Sequence, residues 1–197
     1  LAKLRDVRLG LGLAPGQPVE DLRLAATLAL RHGLSEQQVL EALTRIPAEL
    51  MGVADRVGSL APGKDADFLV MNGAPLATSA HVQRAYIKGR KAFDAAAPMH
   101  AKMMKNDAAD APHGGTVVVR AGTIWLGPDQ WLENGEVLIE HGRIRQVGKR
   151  VATPPGATVV DAGADAFVTP GMIDAFGHLG LEGDRSTPGP ELSFAPL

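Results

Sequence analysis

The chain contains no cysteine, so it can form neither a disulfide nor a thiolate metal site. That absence suits a reducing compartment without excluding export, and the compartment stays open. An excess of charge is also missing: 20 Lys and Arg stand against 22 Asp and Glu, for a formal net charge of −2, which excludes the basic footprint of a nucleic-acid-binding protein. No apolar run approaches the roughly 18 residues needed to span a membrane, and a hydrophobic fraction of 45% argues against disorder. The expectation is a soluble globular chain whose partners include neither nucleic acid nor membrane. An initiator methionine is lacking too. The chain opens at Leu1 with no basic start and apolar core of a leader, and it reads as an excised piece. There is no internal repeat and no low-complexity tract. At 197 residues the length allows one or two domains.

What is present changes character along the chain. Val7 to Leu13 is apolar at alternate positions and ends in Ala14-Pro15-Gly16, which predicts a strand and a loop. Glu20 and Asp21 open a helix with Leu22, Ala25, Ala26, Ala29 and Leu30 at helical spacing, closed by Arg31-His32-Gly33. Ser35 and Gln38 form a capping box for a second helix with Val39, Leu40, Leu43 and Ile46 on its apolar face. Pro47 is expected at the start of a last short helix, Ala48 to Met51, stopped by Gly52. From Asp55 onward glycine and proline turns separate short β runs: Phe68 to Met71, then Val82 to Ile87 before a Lys88-Gly89-Arg90 turn. Residues 95–115 show no period and read as a linker. Beyond it come strands at Val117–Val119, Thr123–Leu126, Glu136–Glu140, Arg143–Val147 and Thr158–Val160. Asn134-Gly135 is read as a hairpin turn, His141-Gly142 as a second turn, and Met172 to Asp174 as a last strand. The fold class is α+β, mainly β.

Two stretches carry a resemblance. Gly33-Leu34-Ser35, Ala42-Leu43-Thr44, Ile46-Pro47-Ala48-Glu49 and, above all, Val57-Gly58-Ser59-Leu60-Ala61-Pro62-Gly63-Lys64-Asp65-Ala66-Asp67-Phe68 make residues 1–94 similar to the C-terminal part of the amidohydrolase superfamily, especially its imidazolonepropionase-like branch. Glu136 to Ile144 and Pro170-Gly171-Met172-Ile173-Asp174 make residues 116–197 resemble the N-terminal part of the same superfamily. The order is inverted: an end precedes a beginning. The resemblance implies the seam of two tandem units, with the C-terminal segment of one, the linker 95–115 and the N-terminal segment of the next. It also implies a (β/α)8 barrel that carries metal, beside a small β-sandwich built from both chain ends. A barrel needs roughly 250 residues, so only its first and last strands are expected here, attached with a few helices to a composite β-sandwich.

By the same resemblance the parent would hydrolyse a C–N or related bond of a small-molecule substrate with a divalent metal, zinc above all, which lowers the pKa of bound water. The rest of the tandem barrels would be its structural partner. The superfamily motif Asp-x-His-x-His reads here Asp174-Ala175-Phe176-Gly177-His178. A phenyl ring at Phe176 cannot bind metal, which leaves His178 as a ligand in the parent or as a structural or surface residue. Asp174 is read as capping the turn after Pro170-Gly171 or as supporting the ligands from behind. The last barrel strand, near Gly12-Leu13-Ala14, has no carboxylate, and Glu20 and Asp21 suit a helix start. The piece itself is therefore expected to be inactive and metal-free. A non-catalytic relative used for binding or assembly is the alternative. Gly58, Gly63, Asp65 and Asp67 are read as fold determinants, the glycines for turns and the aspartates as acceptors for backbone amides. Gly10-Leu11-Gly12 lacks the third glycine of a dinucleotide loop. Trp125 and Trp131 read as packing residues or as an aromatic binding face, and the remaining histidines lack ligand spacing.

Overall fold

The computed structural model describes residues 9–13, 21–96, 115–128 and 130–175. Three helices come first: α1 (Asp21–Arg31), α2 (Glu36–Leu43) and α3 (Arg45–Leu50). Asp21 lies in the first turn of α1, and Gly33, at φ 97°, turns the chain out of it. The capping box of α2 forms in both directions. Gln38 N–H donates to Ser35 Oγ at 3.2 Å and Ser35 N–H to Gln38 Oε1 at 2.9 Å, satisfying amides that the helix cannot. The second helix stops earlier than its apolar spacing suggests. Thr44 turns the chain at φ −133°, so Ile46 and Pro47 belong to α3. Pro47 sits inside the first turn of α3, where its missing N–H costs no helical hydrogen bond.

Eight strands follow: β1 (Phe68–Met71), β2 (Val82–Ile87), β3 (Arg90–Asp94), β4 (Thr116–Gly127), β5 (Gln130–Glu140), β6 (Arg143–Gly148), β7 (Thr158–Asp161) and β8 (Phe167–Pro170). They make one mixed sheet in the order β3-β2-β1-β8-β4-β5-β6, with β7 also on β4. Strands from before and after residues 95–115 therefore share a sheet. β1 runs antiparallel to β8, from Phe68 opposite Pro170 to Met71 opposite Phe167, and β8 runs parallel to β4. Their shared core joins Phe68, Val70 and Tyr86 from before the linker to Val119, Ile124, Val137, Ile139, Ile144 and Val168 from after it. Each such buried side chain contributes about 1.5–3 kcal/mol, and Phe68 and Tyr86 stack with ring centres 4.5 Å apart. Burial raises the Tyr86 hydroxyl above the ordinary phenol range. Val118 and Leu138 point to the other face, against Val151.

Several strand expectations change: the runs at Val117–Val119 and Thr123–Leu126 are one strand, β4, and Arg90–Asp94 adds β3. Asn134-Gly135 is no hairpin: β4 and β5 pair from Thr116–Glu140 to Gly127–Gln130, and the chain reverses between Gly127 and Gln130. Asn134 takes φ 49° inside β5. A Cβ on Gly135 would lie 2.7 Å from Ile124 Cδ1 and 2.8 Å from Leu132 Cδ2, so the ends of those side chains would have to move. Residues 9–13 and 172–174 form no strand; the amides of Leu11, Leu13 and Ile173 go to the end of α2 and to the Asp174 carboxylate. The segment Phe167–Pro170, not marked by sequence pattern, is a central strand.

Candidate functional site

The Gly58–Asp67 motif binds the two sides of the sheet together. Gly63 N–H donates to Ile144 O and Ile144 N–H to Lys64 O, both at 2.8 Å, while Ala66 N–H reaches Gly142 O at 2.9 Å. The motif thus runs along β6, the edge that would otherwise lie open. Within it, Asp65 is only 6% exposed. Its carboxylate takes Arg56 at 2.9 and 3.2 Å and lies 3.6 Å from Arg143, so its partners are two guanidinium groups in place of backbone amides. The Lys64 ammonium is turned inward onto Ala54 O at 2.5 Å and Val57 O at 3.3 Å, and burial pulls its pKa below the usual lysine value. Asp67 accepts the Lys88 amide at 2.6 Å.

Both motif glycines have positive φ, 86° at Gly58 and 90° at Gly63, but their surroundings differ. A Cβ on Gly58 would meet Ala48 Cβ at 2.7 Å and Thr44 O at 3.0 Å, whereas one on Gly63 would meet nothing within 4 Å. Gly63→Ala is expected to cost about 1 kcal/mol from backbone strain alone. Gly58→Ala should cost roughly 2 kcal/mol, because α3 must also shift. Equal melting points for the two variants would show that the approach of Gly58 to α3 is unimportant.

The second cluster is where residues 9–13, the end of α2 and residues 172–175 meet. Leu11 N–H donates to Ala42 O at 2.9 Å, Ile173 N–H to Leu43 O at 2.6 Å and Ala175 N–H to Leu11 O at 3.0 Å. The Asp174 carboxylate accepts Leu13 N–H at 3.0 Å. This bond joins residues from before and after 95–115, and in the turn after Pro170 Gly171 N–H goes to Asp67 O at 3.0 Å. Leu13, Leu22, Ala26, Val39 and Leu43 form the core beneath, with Leu11 and Met172 against it. Phe176, His178, Ala14 and Glu20 lie outside the described residues, as does most of the linker. Among the described residues no three His, Asp or Glu side chains converge. An open pocket of about 300 Å³ between Arg120, Asn134, Glu136 and Asp161 shares no residue with this junction. Its charges are engaged: Arg120 pairs with Glu136 at 3.0 Å, and Glu136 also accepts Val151 N–H at 2.9 Å. The tryptophans form no groove, since Trp125 is fully buried and Trp131, 40% exposed, stands edge-on to Phe167.

The amidohydrolase family profile matches residues 6–111, more than half of the chain. The chain belongs to the amidohydrolase family. It is 41% identical over 70 residues to a dihydroorotase of Geobacter sulfurreducens, covering 34% of this chain and 16% of that protein. It is 39% identical over 72 residues to an imidazolonepropionase of Mycolicibacterium smegmatis, covering 36% and 18%. A third similarity, 29% over 182 residues, is to the amidohydrolase tasK of Hapsidospora irregularis and covers 80% of this chain but 18% of that one. The chain thus spans less than a fifth of the length of these relatives. A crystal structure of an amidohydrolase from Thermotoga maritima MSB8 aligns with 41% identity over 41% of this chain and 21% of its own, at a TM-score of 0.39. Among the described residues no helix is long and apolar enough to cross a membrane.

Proposed function

We propose that this chain is the seam of a longer protein with two amidohydrolase units in tandem, and that the longer protein hydrolyses a C–N or related bond of a small molecule. The observation that carries the reading is the sheet itself. Strands β1 to β3, in the part that resembles the family's end, are completed by β8 and β4 from the part that resembles its beginning. The similarity to tasK supports the order, because an alignment over 80% of this chain must include both sides of the linker. In this reading the joint sheet is the family's composite β-sandwich, and residues 9–13 and 172–175 are remnants of the last and first barrel strands. The imidazolonepropionase-like branch is supported by one relative of that name, while two dihydroorotases match over a similar length.

The family is generally metal-dependent, and a divalent metal such as zinc would supply activated water in the longer protein. In this reading the piece alone is inactive, its substrate and metal being held by the remaining barrel segments. Neither nucleic acid nor membrane is expected as a partner. A non-catalytic relative is the second reading, favoured by Phe176 in the place of the motif's first histidine.

Metal analysis and a hydrolase screen of the longer protein test both readings, with the 197-residue chain as control. Stoichiometric metal and turnover in the longer protein alone are the expected result. A longer protein that binds no metal and turns over no amide or cyclic amide would establish the non-catalytic reading.

A further inference from the structure

Trp125 and Thr169 are both fully buried, yet Trp125 Nε1 and Thr169 Oγ1 find no hydrogen-bond partner among the described residues, each other included. Buried polar atoms are nearly always satisfied, so two orphans need a physical cause. They are neighbours. Strands β4 and β8 pair in parallel, Thr123 with Phe167 and Ile124 with Val168, so Trp125 and Thr169 come next in the register and share a face of the sheet. The aromatic contacts agree: Trp131 stands against both Trp125 and Phe167, the residue two positions before Thr169.

The cause is Pro170. The ladder opens with Thr123 N–H donating to Ala166 O at 3.0 Å, and in this register its last rung would run from the N–H of residue 170 to Trp125 O. Proline has no N–H to give. Strand β8 nevertheless lies between β1 and β4, a central place where a proline leaves a facing carbonyl without its ladder donor. Trp125 therefore brings a carbonyl that β8 cannot satisfy and an indole that only donates, beside a hydroxyl that can do either.

We propose that an ordered internal water is bound at this point, accepting from Trp125 Nε1–H, donating to Trp125 O and pairing with Thr169 Oγ1. A buried water needs roughly two to four polar partners, and this one molecule also replaces the missing rung. Complete burial of both side chains leaves no opening for a larger polar ligand. The water fastens the end of β8 to β4 at the point from which residues 171–175 depart. The site is independent of any hydrolase activity.

A crystal structure of the 197-residue chain, at a resolution that shows ordered water, tests the site. The expected result is a water at hydrogen-bond distance, roughly 2.7–3.2 Å, from both Trp125 Nε1 and Thr169 Oγ1. It should persist in Thr169→Ser and be lost in Thr169→Val, which keeps the shape of the side chain and removes the hydroxyl. A direct bond between Nε1 and Oγ1, or a dry site, overturns the proposal. Solution NMR supplies a second measurement that needs no crystal. The chain has two tryptophans, so Trp131→Phe assigns the two indole N–H resonances. The Trp125 indole proton is expected to show a cross-relaxation peak to a long-lived water, kept in Thr169→Ser and lost in Thr169→Val. No such peak in the parent, or one that Thr169→Val leaves unchanged, counts against the water. Should Thr169→Val fail to fold, the two measurements on the parent decide alone.

Discussion

Gly122→Ala is expected to be among the most damaging single-methyl changes in this chain. Gly122 lies within β4, between the stretches that pair with β7 and β8, and the turn joining those strands bonds to it. Gly122 N–H donates to Gly163 O at 3.1 Å and Thr123 N–H to Ala166 O at 3.0 Å. A Cβ at 122 would fall 1.6 Å from Ala164 O and 2.5 Å from Ala164 C. Both obstacles are backbone atoms, so no side-chain rotation relieves the clash, and the whole 163–166 turn must lift. That turn delivers the chain into β8, the strand through which the two sides of the linker join. The loss should be about 3–4 kcal/mol, at or above the usual range for overpacking. For a chain of this size that amounts to roughly 6–16 °C in melting midpoint. A circular-dichroism melt checks it; a midpoint within about 2 °C of the parent would mean that the turn does not rest on Gly122.

Legibility followed the reach of the interactions. The capping box of Ser35 and Gln38 spans three positions, and the apolar spacing of α1 is local, so both helices could be read directly. The strand Phe167–Pro170 could not, because its partners Phe68–Met71 and Thr123–Ile124 are far away in sequence, and four residues beside a Pro-Gly carry no period of their own. Asn134-Gly135 misled in the opposite sense. Its local preference for a tight turn is real, but pairing with β4 on both sides of Asn134, at Gly135 and Glu133, overrides it, and the glycine lets Ile124 and Leu132 approach. Leu9 to Leu13 alternates like a strand, yet its amides go to a helix end and a carboxylate, partners that no periodicity reveals. At the junction, Asp174 stood out through its motif, whereas Leu11, Ala42 and Leu43 contribute only backbone atoms and offered no signal. The corner carrying Phe176 and His178 was legible as a departure from a family pattern, and its geometry falls outside the described residues.

The second large effect is expected at Asp67, where a structural and a catalytic role give opposite results. Asp67 precedes β1, and its Oδ1 accepts Lys88 N–H at 2.6 Å. Lys88 and Gly89 form the β2–β3 turn with φ of 46° and 73°, values that are costly for a lysine and persist only when the turn is held. The turn is also pressed against the second side of the sheet: Gly89 N–H reaches Ala66 O at 2.9 Å, and a Cβ on Gly89 would stand 2.9 Å from Ile139 Cγ2. A short bond from an amide to a charged acceptor contributes about 1.5–3 kcal/mol. Its removal in Asp67→Ala frees a strained turn as well, so a loss of about 2–3 kcal/mol is expected, or roughly 4–12 °C in melting midpoint. Asp67→Asn, which keeps an acceptor in place, should recover more than half of it. The backbone bond from Gly171 N–H to Asp67 O survives both changes, so the comparison isolates the carboxylate. A catalytic Asp67 predicts the reverse pattern: an unchanged melting midpoint in both variants and a longer protein that no longer turns over substrate. Measuring stability and turnover together on Asp67→Ala and Asp67→Asn in the longer protein decides between them. Unchanged melting with lost turnover would remove Asp67 from the fold and place it in the reaction.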